Sequence, residues 1–364
     1  MTTDEKYMQI AIDLSLNGHG KVSPNPLVGC VIVKENEIIG KGYHEKYGEN
    51  HAEINAIKDA GLESLEDCDV YVTLEPCTHH GKTPPCSDEL IKLKPNRVII
   101  GMEDPNPIVS GNGIRALEGA GIKVESGILA DKVKLINRSF IINITEKRPY
   151  VVAKFAQTLD GFISDENLRS KWISSEESRI IVHKYRNITD AILAGSGTVR
   201  EDNPHLNTRL ENGNNPKKVV FTSNINIPLD SNIFIENPEN TIVVCTNNAM
   251  NIRKIQQVES TGVTVLTVSK DEGNRVDIDS ALKKLYSEFD IGIIMLEAGS
   301  TLLSKFYKLN YIDELKVFIA NKILGTGISP FQNVFRLSLE DKSRFKLLKV
   351  RSIGNDILAE YIRN

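Results

Sequence analysis

The sequence has little tryptophan, no long apolar run and no surplus of basic charge, and each shortage removes a class of protein. Aromatic residues make up 6% of the 364 positions, with Trp172 the single tryptophan. No apolar stretch approaches the roughly 20 residues that cross a bilayer, so a membrane-embedded chain is not expected. Lys and Arg number 44 against 48 Asp and Glu, a net charge of −4. A nucleic-acid partner is not expected either, because a broad footprint on nucleic acid needs a basic face. The start, Met1-Thr2-Thr3-Asp4-Glu5, lacks the basic and apolar regions of a secretory signal. Cysteines are few and odd in number, five, which argues for a reducing, cytoplasmic setting rather than a disulfide framework. The sequons at Asn143 and Asn187 are then chance matches. A Gly-x-Gly-x-x-Gly dinucleotide fingerprint is also missing.

What is present reads as α/β in two successive parts. Thr2-x-x-Glu5 is a capping box opening a helix down to Asn17-Gly18. Strands are expected at 28–33, 38–43, 70–74, 98–101 and near Val124, with helices at 51–60, from about Ser87 and at 114–118. The stretch 138–149 is polar and ends Glu146-Lys147-Arg148-Pro149, so the boundary is placed there, giving domains 1–145 and 146–364. The alternation then restarts. Strands are expected at 151–156, 191–194, 218–222, 242–245, 263–268, 293–296, 315–320, 345–352 and 357–362. Helices are expected at 279–289, from Thr301, and up to Arg186 from a cap at Ser174-x-x-Glu177.

The chemistry concentrates between His51 and Cys86. His51-Ala52-Glu53 and Pro76-Cys77 with Cys86 supply one imidazole, two thiols and one carboxylate. Three protein ligands leave a zinc ion its fourth position for water, whose pKa falls to about 7. The pattern His-x-Glu with Pro-Cys and a second Cys is that of zinc deaminases, where the Glu moves protons and is not a ligand. His51, Cys77 and Cys86 are therefore the expected Zn2+ ligands and Glu53 the acid/base. A structural zinc with His79, His80 or His44 as fourth ligand is the competing reading, and it leaves Glu53 unexplained. Of the other cysteines, Cys30 and Cys245 lie in apolar runs and should be core, whereas Cys68 should sit near the surface. Eight residues, Thr-His-His-Gly-Lys-Thr-Pro-Pro, separate Cys77 from Cys86 instead of two. A loop anchored at both ends by metal and stiffened by prolines can hold Lys82 over a phosphate or ring of a substrate.

Ser-Pro-Asn-Pro-Leu-Val-Gly-Cys-Val-Ile-Val, His-Ala-Glu, Thr-Leu-Glu-Pro-Cys-Thr-His-His-Gly-Lys-Thr-Pro-Pro-Cys and Asp-Pro-Asn-Pro occur in that order. Together they resemble the bifunctional deaminase–reductase family of bacterial riboflavin biosynthesis. The second half adds Thr-Leu-Asp-Gly at 158–161, Lys171-Trp172-Ile173, Gly197-Thr198-Val199, Asp202-Asn203-Pro204 and Glu297-Ala298-Gly299-Ser300. The resemblance implies a cytidine-deaminase-like domain followed by a dihydrofolate-reductase-like domain. It implies removal of the 2-amino group of a diaminopyrimidine ribose phosphate, then NADPH-dependent reduction of ribosyl to ribityl. Asn25, His44, Asp104 and Asn106 fall at the family's substrate pocket, although Asn25 and Asn106, flanked by prolines, also suit a turn.

In the second half the same resemblance places Gln157, Ser170, Trp172, Thr198, Asp202 and Ser223 near NADPH. Arg186, Leu206, Arg209 and Glu297 fall where the family contacts substrate. Arg186 and Arg209 suit a 5′-phosphate, because guanidinium binds phosphate bidentately; as bare sequence they would pass for surface charges. Gly299-Ser300-Thr301, turning a strand into a helix, offers amides to a cofactor phosphate. Lys154 or Asp202 can assist the proton transfers of the reduction. Trp172 suits packing as well as cofactor contact. The expected partners are a small pyrimidine ribose-phosphate and further copies of the chain in a dimer or tetramer. The competing activity is a zinc-dependent nucleoside or tRNA-base deaminase with an accessory domain, which the acidic balance and the second half oppose.

Overall fold

The fold was read from a computed structural model, which describes residues 1–78, 84–107, 109–211, 213–247, 252–332 and 343–364. The chain divides into two compact units, Met1–Lys147 and Arg148–Asn364. Among the described residues no helix is long and apolar enough to cross a membrane.

In the first unit the capping box forms: the Thr2 hydroxyl accepts from the Glu5 amide at 3.2 Å and the Glu5 carboxylate accepts from the Thr2 amide at 2.8 Å. Helix α1 (Thr3–Ser15) buries Tyr7, Met8, Ala11 and Ile12 at helical spacing. The chain continues through β1 (Gly29–Lys34), β2 (Glu37–Tyr43), α2 (Ala52–Ala60), β3 (Cys68–Leu74), α3 (Cys86–Leu93), β4 (Arg97–Met102), α4 (Asn112–Gly119), β5 (Lys123–Ser126), α5 (Ala130–Ile136) and α6 (Arg138–Glu146). The sheet order is β2-β1-β3-β4-β5, antiparallel at β2-β1-β3 and parallel beyond. β1 and β3 are buried almost throughout, which explains their continuous apolar runs.

Glycine sets how closely α2 approaches the sheet. A Cβ on Gly42 would lie 2.3 Å from the Ala56 nitrogen and 2.4 Å from the Ala52 oxygen. The helix that carries His51 and Glu53 therefore rests directly on strand backbone. Two expectations differ from this unit. The polar stretch at 138–149 is mostly the helix α6, whose Phe140 and Ile141 pack on the core. Cys68 is buried, 1% exposed, because it opens the central strand β3.

The second unit runs β6 (Tyr150–Gln157), α7 (Glu176–Arg186), β7 (Ala191–Gly195), α8 (Ser196–Asp202), β8 (Lys217–Phe221), α9 (Asn232–Ile235), β9 (Thr241–Thr246), α10 (Ile252–Glu259), β10 (Thr264–Val268), α11 (Ile278–Phe289), β11 (Ile293–Leu296), α12 (Ser300–Lys308), β12 (Glu314–Ile319), β13 (Phe345–Ile353) and β14 (Asp356–Arg363). Among the described residues its sheet has nine strands, ordered β10-β9-β8-β7-β11-β6-β12-β14-β13. The strands from β10 to β12 in that order are parallel, and β14 and β13 form an antiparallel edge. Side chains alternate between two cores. Ala191 and Leu193 pack on one face, Ile192 and Ala194 on the other. The α7 cap is Ser175, one residue later than expected, its hydroxyl accepting from the Ser178 amide. Helices α8 and α10 were not anticipated. Arg148 enters this unit fully buried, its guanidinium on Asp313 at 2.7 and 2.9 Å.

Candidate functional site

In the first unit β3 ends at Leu74, and Glu75-Pro76 delivers Cys77 beside the starts of two helices. His51 is the residue that caps α2, and Cys86 opens α3. His51 Nδ1 lies 3.5 Å from Cys77 Sγ and 3.3 Å from Cys86 Sγ, and all three donor atoms fall within 4.8 Å of one another. A nitrogen at about 2.0 Å and a sulfur at about 2.3 Å from one tetrahedral zinc stand about 3.5 Å apart, so the donor set fits the ion. Which imidazole nitrogen faces the thiols, Nδ1, was not legible in the sequence.

The electrostatics agree with a cation in this place. Donation from Cys86, and further from His51 and the Cys86 amide, pushes the Cys77 thiol down to about 4. Cys86 is raised in return, first because its thiol donates to Cys77 and then by burial. Glu53 is 3% exposed. Burial, and next the charge on Cys77, push its carboxyl up to about 7. It is a group poised to exchange protons.

A cavity of about 340 Å³ joins His51, Cys77 and Glu53 to Asn25, His44, Asp104 and Asn106. His44 Nδ1 lies 3.0 Å from the Asn50 carbonyl and Nε2 lies 3.2 Å from the Asn25 amide nitrogen. Donation from Nδ1 to the carbonyl fixes the neutral tautomer with Nε2 accepting, and burial lowers its pKa. With both nitrogens engaged, His44 is not a fourth metal ligand. His79, His80 and Lys82 lie outside the described residues. The Asp104 carboxylate accepts from the Asn106 amide at 2.8 Å, a turn that shapes its own loop. Phe140 and Ile144, from the helix read as a polar link, complete the wall.

One buried residue was missed. Glu75, 4% exposed, accepts with one oxygen from the amides of Asp104 and Gly111, both at 3.0 Å. Its other oxygen accepts from those of Gly113 at 2.7 Å and Ile114 at 3.4 Å. A carboxylate placed between an apolar strand and a proline was the available signal.

In the second unit a cavity of about 1070 Å³ opens beyond the carboxyl ends of β6, β7, β8 and β11, where ligands of parallel sheets sit. It gathers Ser170, Trp172, Thr198, Asp202 and Ser223 with Gly299, Ser300 and Thr301 at the start of α12. Lys154, Arg186, Leu206, Arg209 and Glu297 share the lining. Gln157 does not; it pairs with Ile319 across β12, and its carbonyl accepts from Ala320. The buried hydroxyls of Ser300 and Thr222 have no partner among the described residues, and both residues border the same cavity. Unsatisfied buried hydroxyls call for a polar ligand, and a cofactor phosphate answers that.

Strand register sets the charged centre of this cavity. Leu296 pairs with Ala153, so the next residues on β11 and β6, Glu297 and Lys154, lie side by side, with Lys154 Nζ 3.5 Å from the carboxylate. Arg186, at the end of α7, reaches the same carboxylate at 2.7 and 3.1 Å and donates to the Asn207 carbonyl at 2.8 Å. Its fork is thus engaged by Glu297, which leaves exposed Arg209 as the cation better suited to a phosphate. Burial opposes ionisation of Glu297, but Arg186 and Lys154 outweigh it and hold the carboxyl at about 2. Lys154 is shifted down, mainly by burial.

Two families match the two units. Residues 1–102 match the cytidine and deoxycytidylate deaminase zinc-binding region, and residues 149–359 match the RibD C-terminal domain. The fold and sites therefore define a two-part enzyme, a zinc-dependent deaminase joined to an NADPH-dependent reductase. The riboflavin biosynthesis protein RibD of Aquifex aeolicus is 38% identical over 361 residues, covering 99% of this chain and 98% of that one. The RibD of Escherichia coli is 35% identical over 362 residues, covering 97% and 98%. Among solved structures, Acinetobacter baumannii RibD superposes with a TM-score of 0.88 at 35% identity, covering 100% and 99%. A Thermotoga maritima diaminohydroxyphosphoribosylaminopyrimidine deaminase/5-amino-6-(5-phosphoribosylamino)uracil reductase gives 0.84 at 37% identity, with the same coverage. The chain belongs to the RibD family of riboflavin biosynthesis.

Proposed function

We propose that Met1–Lys147 deaminates 2,5-diamino-6-ribosylamino-4(3H)-pyrimidinone 5′-phosphate and that Arg148–Asn364 reduces the product to 5-amino-6-(5-phosphoribitylamino)uracil. The observation that carries the first half is the His51, Cys77 and Cys86 donor set, with His51 Nδ1 3.5 and 3.3 Å from the two sulfurs, beside the cavity that His51, Cys77 and buried Glu53 line. Zinc, when bound to these three residues, supplies an activated water. Glu53 takes a proton from that water and delivers it to the ring nitrogen beside the attacked carbon; it then takes the proton of the new hydroxyl on that carbon and gives it to the departing amine, which leaves as ammonia while the carbonyl forms. Asn25, neutral His44, Asp104 and Asn106 hold the pyrimidine and ribose, and Lys82 takes the substrate from the loop between the cysteines.

In the reductase cavity, NADPH supplies the hydride that the opened ribosylamine, as an imine, accepts at C1′. Lys154 gives the imine nitrogen its proton, a role supported by its place in this cavity and by Glu297, which holds the ammonium through the 3.5 Å contact. Arg186 orients Glu297, and Arg209 with Leu206 receives the ribose phosphate. Ser170, Trp172, Thr198, Asp202 and Ser223 border the nicotinamide cofactor, and Gly299, Ser300 and Thr301 hold its phosphate. The protein works in the cytoplasm as a homo-oligomer, a dimer or tetramer. Apolar Leu347 and Val350 on the edge strand β13, 51% and 54% exposed, favour such an assembly. The reading is tested by following ammonia release and NADPH oxidation separately in Glu53→Gln, where only the first should be lost.

A further inference from the structure

We infer that Glu75 is a positioning residue for deamination: it fixes the loop that carries Asp104 and Asn106 against the metal site and so sets the affinity for the pyrimidine. The inference rests on the deaminase reading above and goes beyond it, because Glu75 is neither a metal donor nor a proton carrier there. Its carboxylate is buried and directed at a backbone loop. One oxygen receives the amides of Asp104 and Gly111, the other those of Gly113 and Ile114. Four donors converge on one carboxylate, which ties Asp104, Gly111 and the first turn of α4 to the residue that precedes Pro76 and Cys77. The approach leaves no slack. A Cβ on Gly113 would lie 2.2 Å from the Pro76 oxygen and 3.0 Å from Glu75 Cγ.

The metal donors are held by other means. The Cys77 carbonyl accepts from the Ser87 amide at 3.2 Å and the Ser87 hydroxyl at 3.0 Å, and Cys77 Sγ accepts from the Cys86 amide at 3.4 Å. Glu53 stands on α2, which rests on Gly42 of β2. Disturbing Glu75 therefore moves the substrate-reading loop while leaving the reacting groups where they are. A Gln side chain keeps the shape but can accept with only one of its two heads. Its amide nitrogen would face two backbone N–H donors, and that pair must separate.

The test is steady-state ammonia release by Glu75→Gln and Glu75→Asp, with zinc content and NADPH oxidation on the deaminated substrate measured on the same preparations. In Glu75→Gln, KM for the diaminopyrimidine phosphate should rise by at least about tenfold while kcat stays within about threefold, as expected when a wall of the site moves and its catalysts do not. Zinc content and reduction should match the parent. Glu75→Asp, which keeps the charge but withdraws it by one methylene, should fall between the two, and it decides the matter if the Gln variant does not fold. A KM within twofold of the parent in the folded variant, or loss of zinc together with kcat, would overturn the inference. The deaminase reading itself fails separately, if Glu53→Gln still releases ammonia at the parental rate.

Discussion

Replacing Glu297 by Gln should weaken the second unit most at neutral pH and least in acid. The carboxyl is held at about 2 against an ordinary 4.5, with its side chain 13% exposed. A depression of about 2.5 units corresponds to about 3 kcal/mol of stability. The folded-state value is depressed, so this stability is fully present above 4.5 and is lost as pH falls through that range towards 2. Gln matches the protonated form in shape and lacks its titration. At pH 7 the variant should therefore unfold with about 3 kcal/mol less stability than the parent, and the gap should close between pH 4.5 and 2. The figure is an upper value, because without Glu297 the buried Lys154 loses the charge that favours its own protonation and can relax to the neutral amine. Urea unfolding followed through Trp172, the lone tryptophan and a residue of this unit, reads the effect as a midpoint shift on the order of 1 M. NADPH oxidation should fall in the same variant while ammonia release is kept. A stability gap that is constant from pH 7 to pH 2 would refute the assignment of that energy to the Glu297 charge.

Gly42→Ala should displace α2 from the sheet and cost about 1–3 kcal/mol by overpacking, since its Cβ would sit 2.3 Å from the Ala56 nitrogen; zinc content and ammonia release should fall together, with NADPH oxidation on the deaminated substrate retained. Removal of zinc by a chelator should stop ammonia release alone and lower the unfolding temperature of the first unit, a ligand at a thousand times its Kd being worth about 4 kcal/mol. Parallel melts with and without the chelator measure it.

Much of this was legible because the chemistry sits where sequence signals are strongest. The glycine at the end of α2 and the apolar run into β3 mark where the helix that begins at His51 stops and where the chain returns towards Cys77. The zinc donors could be read from residue type and spacing, since a metal demands particular atoms whatever the surrounding fold. Contacts between distant segments were harder. Glu75 closes on amides 29 to 39 positions away, and its place between an apolar strand and a proline does not say which amides those are. Arg186 looked like a phosphate ligand, but its guanidinium reaches from the end of α7 to the Glu297 carboxylate. The helix α6 hid in a stretch that ends in charged residues, because only one side of it meets the core, through Phe140 and Ile141. Cys68 seemed a surface residue from its acidic neighbours, yet the pleat of a central strand turns it inward.

The most direct test of two separate chemistries in one chain is the pair of half-reactions in Glu53→Gln. Given the diaminopyrimidine phosphate, the variant should bind zinc as the parent does and release no ammonia. Given the already deaminated uracil phosphate, it should oxidise NADPH at the parental rate. Loss of both activities in a folded, zinc-loaded protein, or ammonia release at the parental rate, would contradict the division of labour between Glu53 and the Lys154–Glu297 centre.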